Sequence, residues 1–169
     1  IGGSASGAEN VISGNTKNGI LLSGTSTANN SVQGNYIGTN AAGDAAVANE
    51  VSGIVIEGGA NNNTIGGTAN GTRNIISGNT ESGVLIYDSS SQGTSNNVIQ
   101  GNYIGSDASG TVDLGNGTFG INVAFASQNT IGGSASGASN VIVGNGGNNS
   151  VGFAGVGIRV DGGNHTVIK

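Results

Sequence analysis

Apolar and polar positions in this chain recur in three fixed arrangements, and each recurs about once every 33 residues. The first is an apolar residue two positions after Asn: Val32 after Asn30, Ile65 after Asn63, Ile99 after Asn97 and Ile131 after Asn129. Ile1 and Ile168 extend that row, with spacings of 31, 33, 34, 32 and 37 residues. The second is Asn followed by two apolar residues, at Asn10, Asn35, Asn74, Asn102 and Asn140. The third is Gly followed by alternation, as in Gly19-Ile20-Leu21-Leu22, Gly53-Ile54-Val55-Ile56, Gly83-Val84-Leu85-Ile86, Gly120-Ile121-Asn122-Val123 and Gly157-Ile158-Arg159-Val160. Period-two alternation of β-branched residues predicts strands, and a repeat of this length predicts an array of stacked units.

Gaps between the arrangements vary while the arrangements stay intact. From the first to the second the gap is 9, 3, 9, 3 and 9 residues, and from the second to the third it is 9, 18, 9, 18 and 17. That is the signature of loops inserted at corners between strands that keep their register. The last unit adds a Gly/Asn-rich loop over 144–152. Three short strands per unit predict coils that close on three sides and pair strand on strand in parallel. Helical repeats of similar period are excluded by the abundance of Gly, Asn and Val, and a six-residue solenoid period is missing. The expected fold is therefore all-β: a right-handed parallel β-helix of about five coils, its handedness following the general preference of parallel crossovers. It spans 1–169 as one solenoid, expected to be a piece of a longer array.

Within this frame Ile20, Leu22, Ile54, Ile56, Val84, Ile86, Ile121, Val123, Ile158 and Val160 point inward. Asn10, Asn35, Asn74, Asn102 and Asn140 fall at one corner of successive coils, where each amide can donate to one layer and accept from the other. The competing reading is that Asn there serves only a left-handed turn. Leu21, Val55 and Leu85 fall on the outward side of the third arrangement and predict an exposed apolar stripe for a partner.

Composition narrows the function classes. The chain has 35 Gly, no Pro, Cys, Met or Trp, 8% charged residues and a net charge of −5. Four scattered Lys and Arg predict no nucleic-acid surface, and without an apolar run of membrane length no insertion into a membrane is expected. Disulfides and thiolate metal sites are excluded by the lack of cysteine.

The motifs Asn-x-Ile, Gly-Asn-Tyr-Ile-Gly and Gly-Ile-x-Ile resemble the repeats of right-handed parallel β-helix proteins, the pectate-lyase-like superfold. They look most like the Asn/Gly-rich arrays of bacterial secreted or surface proteins. The resemblance implies a fold that hosts lyases, hydrolases, epimerases, tailspikes and surface proteins alike. A glycoside hydrolase needs clustered carboxylates, whereas Asp44, Asp88, Asp107, Asp113 and Asp161 are dispersed among loops. The alternative catalytic cluster is Arg159, Asp161, His165 and Lys169, which could form one wall of a groove. Asp107 and Asp113 stand in an oxygen-rich loop that could take calcium, without matching an EF-hand or a Gly-Gly-x-Gly-x-Asp repeat. Otherwise no cofactor is expected.

These readings converge on a noncatalytic structural or adhesive segment of an extracellular or cell-surface repeat protein. Its expected partners are further copies or neighbouring repeats in a filament, a polysaccharide, or another surface protein. The rival is part of a polysaccharide-processing enzyme whose active site lies largely outside these residues.

Overall fold

The five Gly-led alternating segments all form strands in a computed structural model, which describes residues 1–89, 91–147 and 155–169. Residues 148–152 of the Gly/Asn-rich loop expected over 144–152 lie outside the described residues. Fifteen strands, β1 to β15 in chain order, fall into three parallel sheets of five, and among the described residues there is no helix. The first face holds β1 (Val11–Ile12), β4 (Tyr36–Ile37), β7 (Ile75–Ile76), β10 (Tyr103–Ile104) and β13 (Val141–Ile142). On the second face are β2 (Ile20–Ser23), β5 (Ile54–Glu57), β8 (Val84–Tyr87), β11 (Phe119–Ala124) and β14 (Val156–Asp161). The third consists of β3 (Ser31–Val32), β6 (Thr64–Gly66), β9 (Val98–Gln100), β12 (Thr130–Ile131) and β15 (Val167–Ile168). Each coil contributes one strand to each face, so the fold is a parallel β-solenoid of about four turns at about 34 residues per turn.

Register follows the sequence repeats residue for residue. Ile20, Ile54, Val84, Ile121 and Ile158 pair in one row, and Leu22, Ile56, Ile86, Val123 and Val160 in the next. With adjacent strands about 4.8 Å apart, like side chains stack along the axis and fill the interior. Ile37, Ile76 and Ile104 do this from the first face, and Val32, Ile65 and Ile99 from the third, all fully buried. Each contributes about 1.5–3 kcal/mol of burial. Exposure returns in the outermost layers, where one side lacks a neighbouring coil: Ile12 and Ile158 are half-buried and Val160 is 42% exposed.

The leading glycines Gly19, Gly53, Gly83 and Gly120 of the second-face strands are needed for space. A Cβ on Gly83 would meet Gly120 O at 2.8 Å, Asn116 Nδ2 at 2.8 Å and Ile104 Cγ2 at 2.9 Å. The corner there is too tight for any side chain.

Inserted segments alternate from coil to coil. Coils one, three and five carry a short turn before the first face, closed by Ala8 N donating to Ala5 O, Thr72 N to Ala69 O and Ala138 N to Ala135 O. Coils two and four carry a longer excursion after it, over 38–47 and 105–114. The two excursions are built alike, with Val47 N donating to Gly38 O and Leu114 N to Gly105 O, and they touch through Ala108 N and Gly43 O at 2.9 Å. Both kinds of insertion border the first face, one on each side of it.

Candidate functional site

Side-chain amides form continuous hydrogen-bonded columns through the solenoid. At the expected corner Asn10 Nδ2 donates to Asn35 Oδ1 at 2.9 Å, Asn35 to Asn74 at 3.0 Å, Asn74 to Asn102 at 2.9 Å and Asn102 to Asn140 at 3.1 Å. Each acceptor oxygen also takes the backbone N–H of the residue that donates to it. The same amide nitrogens tie to the preceding face, with Asn74 Nδ2 at 2.8 Å from Val32 O and Asn102 Nδ2 at 2.9 Å from Ile65 O. Asn35, Asn74 and Asn102 are buried, while Asn10 is exposed and Asn140 half-buried.

Two further columns run through the other corners. Asn15, Asn49, Asn79, Asn116 and Asn145 form one, with amide contacts of 2.7–2.9 Å. Asn30, Asn63, Asn97 and Asn129 form the other, at 2.9–3.2 Å. The third column was visible as the Asn of the first sequence arrangement. The second is hidden because the 38–47 and 105–114 excursions shift Asn49 and Asn116 out of phase. Left-handed Asn also occurs, one residue earlier: Asn29, Asn62 and Asn96 have φ of 59°, 53° and 56°. At the predicted corner the ladder reading holds, since none of Asn10, Asn35, Asn74, Asn102 and Asn140 has a positive φ; the left-handed role falls to other Asn residues beside the third column.

The third column stops at Thr166, which lies opposite Asn129 in the register of β12 and β15. Asn129 Nδ2 and Thr166 Oγ1 are both buried without a partner. Thr166→Asn is expected to supply the missing acceptor and raise stability by about 1 kcal/mol, read as a higher urea midpoint. A lower midpoint would show that the corner cannot hold a fifth amide.

The outward row of the first face is Val11, Tyr36, Ile75, Tyr103 and Val141, in register. Two flanking insertions turn this row into the floor of a groove. Gly43 and Gly110 let the excursions lie against the tyrosines, since a Cβ on Gly43 would stand 2.6 Å from Tyr36 Cε1 and one on Gly110 2.7 Å from Tyr103 Cε2. From the opposite wall the Arg73 guanidinium covers the Tyr103 ring at 3.9 Å from its centroid, and Arg73 Nε donates to Gly101 O at 3.3 Å. A cavity of about 450 Å³ here is lined by Glu9, Tyr36, Arg73, Ile75 and Ala108 among others. Tyr36 and Tyr103, two coils apart, were passed over in the sequence because they read only as strand residues.

Asp107 organises its excursion. Its carboxylate accepts from Val112 N and Thr111 N at 3.0 Å and from Ser109 Oγ at 2.8 Å. The Val112 N–H, then the Ser109 hydroxyl, hold the Asp107 carboxyl below the usual aspartate value against the opposing effect of burial. Asp113 Oδ1 accepts from Gly115 N at 2.8 Å, so both candidate calcium ligands already serve the loop. Among the described residues no group of three acidic or histidine side chains gathers. Because the folded pKa of Asp107 is depressed, its stabilisation is full above the unfolded aspartate range and is lost as pH falls through the lower folded value. The gap in thermal midpoint between the native chain and Asp107→Asn is expected to stay constant near neutrality and close only in strong acid.

The stripe expected on the second face is interrupted. Leu21, Val55, Leu85, Asn122 and Arg159 do form one outward row. Leu21 is 54% exposed, but Val55 is only 3% exposed and Leu85 is half-buried. A valine flanked in register by two larger leucines is shielded by them, so no continuous apolar strip reaches solvent. Phe125 is the large exposed apolar side chain nearby, edge-on to Tyr87 at 6.2 Å.

Arg159 and Asp161 project two residues apart on β14 and form an ion pair at 2.5 Å. His165 stands in the following corner with φ of 58°, and Lys169 follows β15. Of the four residues, the structure joins Arg159 to Asp161 directly.

No protein-family model, no curated protein and no solved structure matches the chain.

Proposed function

We propose that the chain is a noncatalytic structural and adhesive segment of an extracellular or cell-surface repeat protein. The observation that carries the reading is the three amide columns, which commit the buried polar groups of the coils to propagating the solenoid. Column polarity is the same in every coil, so a further coil, from neighbouring repeats or from a second copy in a filament, adds by repeating bonds already made at the first two corners, and at the third on the Asn30 side. We further propose kinship with right-handed parallel β-helix proteins, in particular Asn/Gly-rich bacterial secreted arrays, on the strength of the three parallel sheets and the stacked asparagines.

Adhesion is assigned to the first-face groove, with an extended polysaccharide as its partner. Tyr36 and Tyr103 stand two coils apart, or about 10 Å at the usual strand spacing, so a polymer lying along the axis meets two aromatic side chains at that separation. Arg73 offers guanidinium donors beside one ring. Glu9 and Arg73 are the charged residues lining the cavity, which leaves a binding surface without the carboxylate pair that hydrolysis of a glycosidic bond requires.

The test is retention on immobilised acidic and neutral polysaccharides, with a parallel screen for reducing ends and unsaturated products. Tyr103→Ala is expected to weaken retention about tenfold, the loss of a ring contact worth about 1.4 kcal/mol, with no products formed. Turnover by the native chain would overturn the noncatalytic reading, and equal retention of the variant would remove the groove as the adhesive surface. Sedimentation at rising concentration tests self-association separately.

A further inference from the structure

An asparagine followed by glycine can modify itself when the glycine nitrogen is free to attack the side-chain carbonyl. Four such pairs occur: Asn18–Gly19, Asn70–Gly71, Asn116–Gly117 and Asn145–Gly146. In three the glycine nitrogen is held, with Gly19 N donating to Ser52 O at 3.1 Å, Gly117 N to Asn79 O at 2.9 Å and Gly146 N to Asn116 O at 2.8 Å. Their side chains are held as well. Asn116 and Asn145 stand in an amide column, and Asn18 Oδ1 accepts from Ser52 N at 3.2 Å.

Asn70 and Gly71 differ on every count. Both are exposed, and among the described residues neither the Asn70 side chain nor the Gly71 N–H makes a hydrogen bond. The cause is the residue two positions further on. In the equivalent turn of the first coil Gly7 N donates to Glu9 Oε2 at 2.8 Å. Arg73 stands at the place of Glu9, cannot accept, and is drawn to the Tyr103 ring instead. Glycine is nonetheless required at 71, where φ is 78° and a Cβ would come within 2.3 Å of Ser4 O.

We propose that Asn70–Gly71 is a self-modification site at which the chain deamidates while folded. The Gly71 nitrogen loses its proton and bonds to Asn70 Cγ, the side-chain nitrogen leaves as ammonia, and water opens the cyclic imide to aspartate or isoaspartate. The turn thereby gains a carboxylate. Residues 70 and 73 line one small cavity of about 140 Å³, so the new charge arises beside Arg73. On the groove reading this sets an anion at the wall of the polysaccharide site; that consequence rests on the proposed function, and the chemistry does not.

The experiment is peptide mass spectrometry of the intact folded chain aged in heavy-oxygen water at mildly alkaline pH, with and without urea. Conversion at Asn70 is expected to exceed that at each of the other three pairs by about tenfold or more, because they react only through local opening. In urea the difference is expected to vanish. Arg73→Glu, which restores the acceptor found in the first coil, should slow conversion several-fold with the circular dichroism unchanged. Asn70→Ser places there the residue found at Ser6 and Ser136 and should abolish isoaspartate in that peptide. Equal native rates at the four pairs, or an unchanged rate in the folded Arg73→Glu chain, would overturn the proposal whatever the groove binds.

Discussion

Asn74→Ala is expected to lower folding stability by about 3–5 kcal/mol, at the upper end for a single substitution. Asn74 Oδ1 takes two bonds of 3.0 Å, from Asn35 N and Asn35 Nδ2. Its Nδ2 gives two, at 2.9 Å to Asn102 Oδ1 and 2.8 Å to Val32 O. Alanine removes all four bonds in a layer fully closed to solvent; Asn35 Nδ2 keeps Gln33 O and Asn102 Oδ1 keeps the Asn74 N–H, so the main losses fall on Asn35 N and Val32 O, at about 1–3 kcal/mol each before relaxation. Asn122→Ala is the matched control. That residue is half-buried and its Oδ1 already lacks a partner, so a change within about 1 kcal/mol is expected. Urea denaturation of the two variants decides the matter, and coincident midpoints would mean that the column does not hold the coils together.

Ile76→Ala is expected to cost about 4 kcal/mol. Ile76 is fully buried and lies in register between Ile37 and Ile104, themselves fully buried. Its neighbours are poorly placed to collapse into the gap, because each layer is pinned at three corners by amides that fix the axial spacing. Most of the deleted volume therefore remains as cavity, which puts the cost in the upper part of the usual range. Val11→Ala, on the outward side of the same face and 47% exposed, should change stability by less than about 1 kcal/mol. A similar loss for both variants would place the first-face row outside the core.

Much of the architecture was legible because a solenoid writes its packing into the sequence at a constant offset. Asn74 followed by Ile75 and Ile76 recurs once per coil, and its copies stack directly. The competition between a ladder and a left-handed turn for Asn could not be resolved from sequence, since both roles use the same residue type; the Asn62–Asn63 pair performs one with each member. For Arg73, no role in a groove was legible in the sequence. Its role depends on Tyr103, 30 residues away, and on excursions whose folding back across the first face is decided by hydrogen bonds between coils.

What the sequence determined by itself is the strand count, the inward rows and one amide column, because these depend on local alternation and on identical residues meeting across a uniform axial step. The tertiary structure decided everything that depends on unlike residues meeting. It placed Asn49 and Asn116 in a second column despite the insertions before them, and shielded Val55 between two leucines. It also joined Arg159 to Asp161, and left Gly71 without an acceptor where Glu9 serves Gly7. In each of these cases the deciding partner belongs to another coil or to a side chain whose direction the spacing does not specify. Neighbours of that kind are set by how loops of different length close over the same rigid stack.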